Sequence, residues 1–283
     1  MGTIRMINTA LDWLVRPEIH FLSRSWSSFQ VCGSTGLAFA FLLSMGLVLA
    51  RGLSPWTMVA ITLAASATFL ALAMLTKVLT GEERLTYYYH MIVVLITTGL
   101  LLMLLRQPVL PYLDITLLGV GVFLAFGRVG CLMVGCCYGR PSSNGVCYRS
   151  EHAEAGFTGV VGARLLPIQA IESLWVGLIV LVGCAQVLDG APAGTALAWY
   201  VMTYALGRFC FEFLRGDLER PYALGFSEAQ WTSLAMTGLM GGLELTGQLP
   251  RHAWQIALAA LILLAMVAIR FGRHRPLNHS VAE

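Results

Sequence analysis

Seven long runs of apolar residues restrict what this chain can fold into more than any other feature of the sequence. Three of the runs contain no charged residue, and each of the other four contains a single His, Asp or Glu. A helix needs roughly 20 mostly apolar residues to cross the hydrocarbon layer of a membrane. Inside lipid every backbone amide must be hydrogen-bonded, so only helices or closed barrels form, and the alternation expected of a barrel is not seen. The runs cover residues 31–50, 52–76, 85–105, 107–127, 165–188, 190–207 and 252–269.

The composition argues against other classes of protein. Hydrophobic residues make up 57% of the 283 residues and charged residues 12%, whereas a soluble domain has roughly 25% charged residues. Disordered chains are rich in charge and poor in apolar residues, so disorder is excluded. The net charge is only +3 and no basic patch is present, so we expect no nucleic-acid partner. The sequence predicts an all-α polytopic membrane protein with about seven transmembrane helices.

The pattern divides the chain into three segments. Residues 1–30 mix Trp and Phe with arginines, which is typical of an amphipathic helix on the membrane surface. Residues 31–270 hold the seven runs without a Pro/Gly/Ser-rich linker, so we predict one membrane domain there. Residues 271–283 are expected to form a cytoplasmic tail. A weaker apolar block at 228–244 fits either a short re-entrant or interfacial helix or an ordinary loop helix.

Charge gives two answers for the orientation of the chain. If the chain crosses the membrane seven times, more Lys and Arg residues lie on the side of the N-terminus than on the other side. The positive-inside rule then places the N-terminus in the cytoplasm. The basic run at 270–275 falls on the other side and favours a cytoplasmic C-terminus instead.

The first of three polar groups, at 127–141, lies at the end of an apolar run, where charge is costly and usually functional. Its glycines, Gly139 among them, permit close backbone approach. The planar guanidinium groups of Arg128 and Arg140 suit a phosphate at the depth of the lipid headgroups. The alternative is a tight helix exit whose arginines reach out to the membrane surface.

The second and third polar groups each place their side chains on one helix face. Gln169 and Glu172 are three residues apart near the start of a run. Arg208, Glu212 and Arg215 follow at spacings of four and three near the end of another run. The structural alternatives are an acidic residue favoured at a helix N-terminus and an ion-pair network that locks two helices together.

His90 follows three consecutive tyrosines near the start of the 85–105 run. It is a candidate general base, because histidine changes its charge close to neutral pH. The alternative is a buried histidine with a structural role.

Three cysteines, Cys131, Cys136 and Cys137, lie in the first polar group, and Cys147 follows ten residues later. They fit a thiol nucleophile activated by nearby arginines, a disulfide, a metal site, or small residues that fill tight helix contacts. The spacing lacks a C-x2-C pair, so a zinc site is only weakly supported and we predict no metal.

The three polar groups, in this order, resemble the motifs of the prolipoprotein diacylglyceryl transferase family. The family's signature is Gly-Arg-Ile-Gly-Asn-Phe-Ile-Asn-Gly-Glu-x-x-Gly-Arg, followed by Pro-Ser-Gln-Leu-Tyr-Glu and Tyr-Gly-x-x-Arg-Phe-x-x-Glu-Phe-x-Arg. His90 stands at about the distance of the family's essential histidine, while Cys131 and Cys136 replace the signature Asn and Glu. The matching residues are Gly127, Arg128, Gly130, Gly135, Gly139, Arg140, Pro167, Gln169, Glu172, Tyr204, Arg208, Phe209, Glu212, Phe213 and Arg215.

The resemblance implies a transferase of the bacterial cytoplasmic (inner) membrane. Such an enzyme moves a diacylglyceryl group from phosphatidylglycerol to a cysteine thiol of a lipoprotein precursor, and glycerol phosphate leaves. It implies no metal or dissociable cofactor, with the N-terminus outside and the C-terminus inside. The predicted catalytic residues are His90, Arg128, Arg208 and Glu212, and the predicted substrate-binding residues are Arg128, Gly139, Arg140, Gln169, Glu172 and Arg215.

Three other functions fit parts of the sequence. The first is a membrane thiol-redox or metal-binding protein that uses Cys131, Cys136 and Cys137. The second is a divergent relative that transfers to another acceptor, and the third is a non-enzymatic lipid-binding or transport protein that kept the scaffold.

Overall fold

The computed structural model describes residues 2–21, 24–81, 85–156, 161–217 and 222–273. Within these ranges helices dominate, and the short strands form three antiparallel pairs, β1–β2, β3–β4 and β5–β6. The helices are α1 Gly2–Leu14, α2 Ser28–Ala50, α3 Pro55–Thr80, α4 Tyr87–Leu104, α5 Val109–Val134, α6 Ser150–Glu154, α7 Ile168–Leu188, α8 Thr195–Phe211, α9 Glu228–Leu245 and α10 Ala253–Arg273. The strands are β1 Glu18–Phe21, β2 Arg24–Ser27, β3 Pro141–Cys147, β4 Arg164–Leu165, β5 Tyr222–Ala223 and β6 Phe226–Ser227.

Each of the seven apolar runs forms a helix, which confirms the prediction of an all-α polytopic membrane protein. Among the described residues, six helices are long and apolar enough to cross a membrane: α2, α3, α4, α5, α7 and α10. The run at 190–207 gives α8, which begins only at Thr195. With 17 residues, α8 is shorter than the roughly 20 residues of a typical span.

Helix α5 is the central helix of the bundle, packed against α2, α4, α7 and α8. It has the largest buried share of the six spans. Small residues permit this close packing: a Cβ atom on Gly121 would lie 2.5 Å from the ring of Tyr200, and one on Gly183 would lie 2.4 Å from Leu118. Hydrocarbon supplies no hydrophobic force between helices, so close packing at small residues holds such a bundle together.

The apolar block at 228–244 forms α9, an 18-residue helix packed between α8 and α10. It begins with a capping box, in which Ser227 and Gln230 bond to each other's backbone N–H groups. Leu249, just beyond the end of α9, contacts Gly194 before the start of α8. Helix α9 therefore runs antiparallel to α8 along its length.

This additional helix changes where the last helix ends. The Arg270 side chain of α10 donates to the Leu224 carbonyl at 3.4 Å, beside the start of α9. Arg270 thus lies at the end of the bundle where α5 ends, and not at the opposite end as seven spans implied. Of the predicted tail 271–283, residues 274–283 lie outside the described residues.

The N-terminal segment docks on the polar loop between α5 and α7. The Asn8 amide oxygen accepts from the Gly145 backbone N–H at 2.9 Å. The Asp12 carboxylate accepts from the Cys147 backbone N–H at 2.7 Å and pairs with Arg164 at 2.7 Å. Helix α1 therefore covers strand β3, and the antiparallel hairpin β1–β2 leads into α2.

Asp114, the only acidic residue of α5, is buried and caps another helix. Its two carboxylate oxygens accept the backbone N–H groups of Gly194 and Leu197, each at 2.7 Å. The first N–H groups of a helix have no partner within it, and a negative charge is favourable there. Asp114 thus fixes the start of α8 to the centre of the bundle.

Replacing Asp114 by Asn should destabilise the protein by about 1–3 kcal/mol, because one buried N–H group then faces an amide donor instead of an acceptor. The thermal unfolding midpoint in detergent measures the loss. Asp189→Asn, which changes an exposed residue after α7, is the matched control and should leave the midpoint unchanged. Equal midpoints for the two variants would contradict the capping role.

Candidate active site

The three polar groups of the sequence meet at one end of the bundle. Arg128 lies in the last turns of α5, Glu172 in the second turn of α7, and Arg208 in the last turn of α8. Helices α5 and α8 run towards this end and α7 runs away from it, so residues far apart in sequence become neighbours.

An ion pair between Arg128 and Glu172 joins α5 to α7, and both side chains are buried. The Tyr204 hydroxyl of α8 donates to the other oxygen of Glu172 at 3.1 Å. The Nε atom of Arg128 is buried with no hydrogen-bond partner in the described part of the chain. A buried ion pair is stable only when its charged groups have hydrogen-bond partners. The Nε–H group of Arg128 still lacks one and can donate to a further acceptor.

Two more arginines surround Glu172. Arg208 is ion-paired with Glu212 one turn further on, and both side chains are largely buried. The Arg215 side chain is 6% exposed and binds Asp217 through two bonds, at 3.0 and 2.8 Å. Glu172 interacts electrostatically with Arg208 and Arg215 as well as with its own partner. We call Arg128, Glu172, Arg208 and Arg215 the arginine cluster.

Backbone hydrogen bonds join the three segments that carry these residues. Arg140 N–H donates to the Leu214 carbonyl at 2.9 Å, and Gly216 N–H donates to the Tyr138 carbonyl at 3.0 Å. Leu166 N–H donates to the Arg140 carbonyl at 3.0 Å. We call this contact the three-segment joint, and it holds the ends of α5 and α8 and the start of α7 in a fixed relation.

Gly139 and Arg140, both predicted to bind substrate, lie in this joint. A Cβ atom on Gly139 would lie 2.4 Å from the Leu166 carbonyl oxygen, so only glycine fits there. The side chain of Arg140 is exposed, and its backbone makes the bonds of the joint. The structure therefore gives Gly139 a structural reason to be glycine.

Gln169 holds the cysteine loop in place. Its amide Nε2 donates to the Cys136 carbonyl at 2.7 Å and lies 3.5 Å from the Tyr148 hydroxyl. Helix α5 ends at Gly135, whose φ of 89° is left-handed, and Cys137 follows with a φ of 54°. This turn brings the sulfur atoms of Cys131, Cys136 and Cys137 within 4.8 Å of one another.

The pKa values of three side chains near this loop are shifted. Hydrogen bonds with Cys131 and Cys136, together with the positive charges of Arg128 and Arg215, hold the pKa of Cys137 well below its usual range. Hydrogen bonds with Cys131 and Cys137 raise the pKa of Cys136 above its usual range. Burial raises the pKa of Asp217 above its ordinary value, although its partner Arg215 opposes the shift.

His90 is buried in the first turn of α4, with its ring 4.7 Å from the ring of Phe69. Its Nδ1 atom lies 2.9 Å from the Thr86 carbonyl oxygen. A carbonyl only accepts, so Nδ1 carries the proton and Nε2 has the free lone pair. Nε2 is buried with no hydrogen-bond partner in the described ranges.

Known proteins match this part of the chain. A family model described as prolipoprotein diacylglyceryl transferase matches residues 85–245, more than half of the sequence. The chain belongs to the prolipoprotein diacylglyceryl transferase family. All members of the arginine cluster, the three-segment joint and His90 fall inside the matched region.

Several curated relatives of this family are similar in sequence. A phosphatidylglycerol–prolipoprotein diacylglyceryl transferase 2 of Clostridium perfringens (strain 13 / Type A) is 31% identical over 139 residues, covering 48% of this chain and 51% of the relative. A phosphatidylglycerol–prolipoprotein diacylglyceryl transferase of Clostridium tetani (strain Massachusetts / E88) is 30% identical over 126 residues, covering 44% of this chain and 49% of the relative. A transferase 2 of Streptomyces coelicolor (strain ATCC BAA-471 / A3(2) / M145) is 32% identical over 132 residues, covering 46% and 41%. The chain spans about half the length of the curated relatives it matches.

A group of tyrosines lies beside the arginine cluster. Of these, only Tyr204 belongs to the family motifs. The hydroxyls of Tyr87 and Tyr200 are 2.8 Å apart, and that of Tyr88 is 2.8 Å from the Ser233 hydroxyl. The rings of Tyr87 and Tyr204 pack edge to face at 4.8 Å. The spacing of Tyr200 and Tyr204, one turn apart on α8, is the sequence signal from which this shared face could have been predicted.

An apolar cavity of about 350 Å³ opens between α8 and α10. Trp199, Leu206, Trp254 and Leu258 are among the residues that line it. The two indole rings pack edge to face at 5.7 Å. A cavity of this composition, on a helix that also carries Arg208, suits an acyl chain better than a polar ligand.

The loop after α5 is fixed by two buried side chains that bond the last carbonyls of the helix. The Tyr148 hydroxyl donates to the Leu132 carbonyl at 3.1 Å, and His152 Nε2 bonds the Met133 carbonyl at 3.1 Å. The backbone N–H of Arg149 donates to His152 Nδ1 at 3.3 Å. His152 is therefore neutral, with its proton on Nε2, and burial lowers its pKa.

The stability of the protein should fall as the pH drops below about 6.5, the ordinary pKa of histidine. The unfolded chain takes up a proton on His152 there, whereas the folded protein does so only at lower pH, so protonation favours unfolding. Nearby Arg149 and Glu151 act on this pKa in opposite directions. Thermal unfolding midpoints measured across this pH range test the effect.

His152→Gln is the matched variant, because its Nε2 can still donate to the Met133 carbonyl but does not titrate. We expect a smaller pH dependence of its midpoint than in the wild type. The same pH dependence in both proteins would show that His152 is not the group responsible.

Proposed function

We propose that this protein transfers a diacylglyceryl group from phosphatidylglycerol to the thiol of a cysteine in a lipoprotein precursor. The observation that carries the proposal is the arginine cluster, in which three arginines converge on one buried carboxylate. Membership of the family and the names of the curated relatives support it. The six apolar helices support a multi-pass bacterial membrane protein, and we propose the cytoplasmic (inner) membrane as its location.

The arginines suit the phosphate of the lipid headgroup. Guanidinium groups bind phosphate through paired, charge-assisted hydrogen bonds, and the Nε atom of Arg128 is a buried donor without a partner among the described residues. Glu172 and Glu212 keep Arg128 and Arg208 charged and oriented in the free protein. A phosphate that enters the cluster exchanges one anionic partner for another, so the arginines are never left unpaired.

The transfer is a displacement at carbon. The thiolate sulfur of the acceptor attacks the carbon of the diacylglyceryl group that bears the phosphate. A C–S bond forms, and the bond from that carbon to the phosphate oxygen breaks. Its electron pair leaves on the phosphate oxygen as glycerol phosphate. Negative charge grows on that oxygen in the transition state, and preorganised arginines stabilise it. We propose that Arg128 and Arg208 do this, with Arg215 and Glu172 supporting them.

The acceptor thiol must lose its proton before or during the attack. We propose His90 as the base, because its Nδ1 proton is held by the Thr86 carbonyl and its Nε2 is left to accept a proton. The cavity between α8 and α10 is the proposed place for an acyl chain of the lipid. A thiol-redox function is not favoured, because it gives the arginine cluster no purpose.

Replacing Arg208 by Ala should reduce transfer at least about 100-fold, as expected when a main donor to the transition-state charge is removed. The assay mixes purified protein with headgroup-labelled phosphatidylglycerol, with and without a peptide carrying the lipoprotein cysteine motif. Released glycerol phosphate is counted and the lipidated peptide is detected by mass spectrometry.

Arg106→Gly is the matched control. It also removes an arginine, but at the opposite end of the bundle, where a φ of 54° suits glycine. Peptide-dependent release by the wild type and the control, lost in Arg208→Ala, supports the proposal. Release that needs no peptide would indicate another acceptor or a lipase, and a fully active Arg208→Ala would refute the assigned site.

His90→Asn tests the proposed base, because the Asn amide can still donate to the Thr86 carbonyl while Nε2 is lost. We expect kcat to fall about 100-fold or more, while KM and the unfolding midpoint in detergent stay close to the wild-type values. A purely structural role would instead lower the unfolding midpoint.

A further inference from the structure

We propose that Cys131, Cys136 and Cys137 bind one thiophilic d10 metal ion, Zn²⁺ or Cu⁺, in a site made of three thiolates. Their sulfur atoms all lie within 4.8 Å of one another, and no other such group of His, Cys, Asp or Glu occurs in the described part of the chain. The site goes beyond the proposed transfer reaction and does not rest on it.

The spacing of the sulfur atoms is close to what such an ion requires. A Zn–S bond of about 2.3 Å in tetrahedral or trigonal geometry places the sulfur atoms about 3.8–4.0 Å apart. Thiols already within 4.8 Å need only small side-chain movements to reach that separation. Thiolate ligands select Cu⁺ and Zn²⁺ over the harder divalent ions.

The backbone brings the three thiols together although their spacing in the sequence is irregular. Cys131 is in the last turn of α5, and the left-handed residue Gly135 ends that helix. The backbone of Cys137 is also left-handed, a conformation that residues other than glycine rarely adopt. The loop therefore turns back on the end of the helix. The bond from Gln169 to the Cys136 carbonyl holds the turn.

The surrounding charge favours thiolates. A site of three thiolates and one Zn²⁺ or Cu⁺ is an anion overall. Arg128 Nη1 lies 4.0 Å from the sulfur of Cys131, so a fixed positive charge lies beside the three sulfur atoms. Hydrogen-bond donors beside a metal-bound thiolate stabilise it.

Burial differs among the three ligands in a way that suits an accessible ion. Cys131 is buried, whereas Cys136 and Cys137 are partly exposed. Metal can enter from that side, and Zn²⁺ would keep one position open for a fourth ligand, as in sites with three protein ligands. Cu⁺ would be satisfied by the three thiolates alone.

The test measures metal in the full-length protein, purified anaerobically in detergent from cells supplied with zinc and copper. We expect about one ion per chain by mass spectrometry of the elements, the stoichiometry of a single site. Cys131→Ser, Cys136→Ser and Cys137→Ser should each lose it. Cys210→Ser changes an exposed cysteine of α8 outside the cluster and should keep it.

A second measurement uses the wild-type protein alone, in case a cluster variant fails to fold. Metal is removed with a chelator, and Zn²⁺ and Cu⁺ are added back in separate titrations against competing chelators. Tight uptake of one equivalent of either ion supports the site and identifies its metal. Co²⁺ in place of Zn²⁺ should give a thiolate charge-transfer absorption band.

Three results would overturn the proposal. They are no stoichiometric uptake of either ion, unchanged metal content in the folded cysteine variants, and a disulfide between two of the three cysteines in the protein as isolated. None of these readouts involves lipid transfer, so an inactive enzyme would leave the test intact.

Discussion

The ion pair between Arg128 and Glu172 is the contact on which the rest of the structure depends. An unpaired charge at the edge of a hydrocarbon layer has a high free-energy cost. Helices α5 and α7 must therefore pack with these two residues at the same depth. Tyr204 adds α8 to the same pair. The chain between Arg128 and Glu172 must then fold over the end of the bundle, where β3 pairs with β4 and α1 packs against β3.

Much of this arrangement can be predicted from the sequence, because lipid leaves few alternatives. A long uncharged run such as 31–50 has to be a helix, and the four-residue spacing of Arg208 and Glu212 places both side chains on one helix face. Convergence of the three polar groups follows from the cost of leaving each group alone. The roles assigned to individual residues within the cluster remain predictions.

Other features depend on the path of the backbone and leave no periodic signal. Gln169 is predicted from the sequence as a substrate-binding residue, and only the path of the backbone shows that its amide also donates to the Cys136 carbonyl. The three cysteines are spaced irregularly, and only the left-handed turn at Gly135 and Cys137 brings their sulfur atoms together. Asp114 caps a helix that lies about 80 residues away in sequence, and the glycine-containing apolar block forms α9, a helix that packs against α8 and α10.

The cavity between α8 and α10 has a further consequence for how the protein meets its ligands. Its lining is almost entirely apolar, and α10 presents leucines such as Leu261 and Leu264 outwards beside it. If the proposed acyl chain of a lipid occupies this cavity, it arrives by lateral diffusion in two dimensions and not from bulk water. Its effective concentration is set by its mole fraction in the leaflet, so occupancy is governed by membrane composition and a weak intrinsic affinity is sufficient.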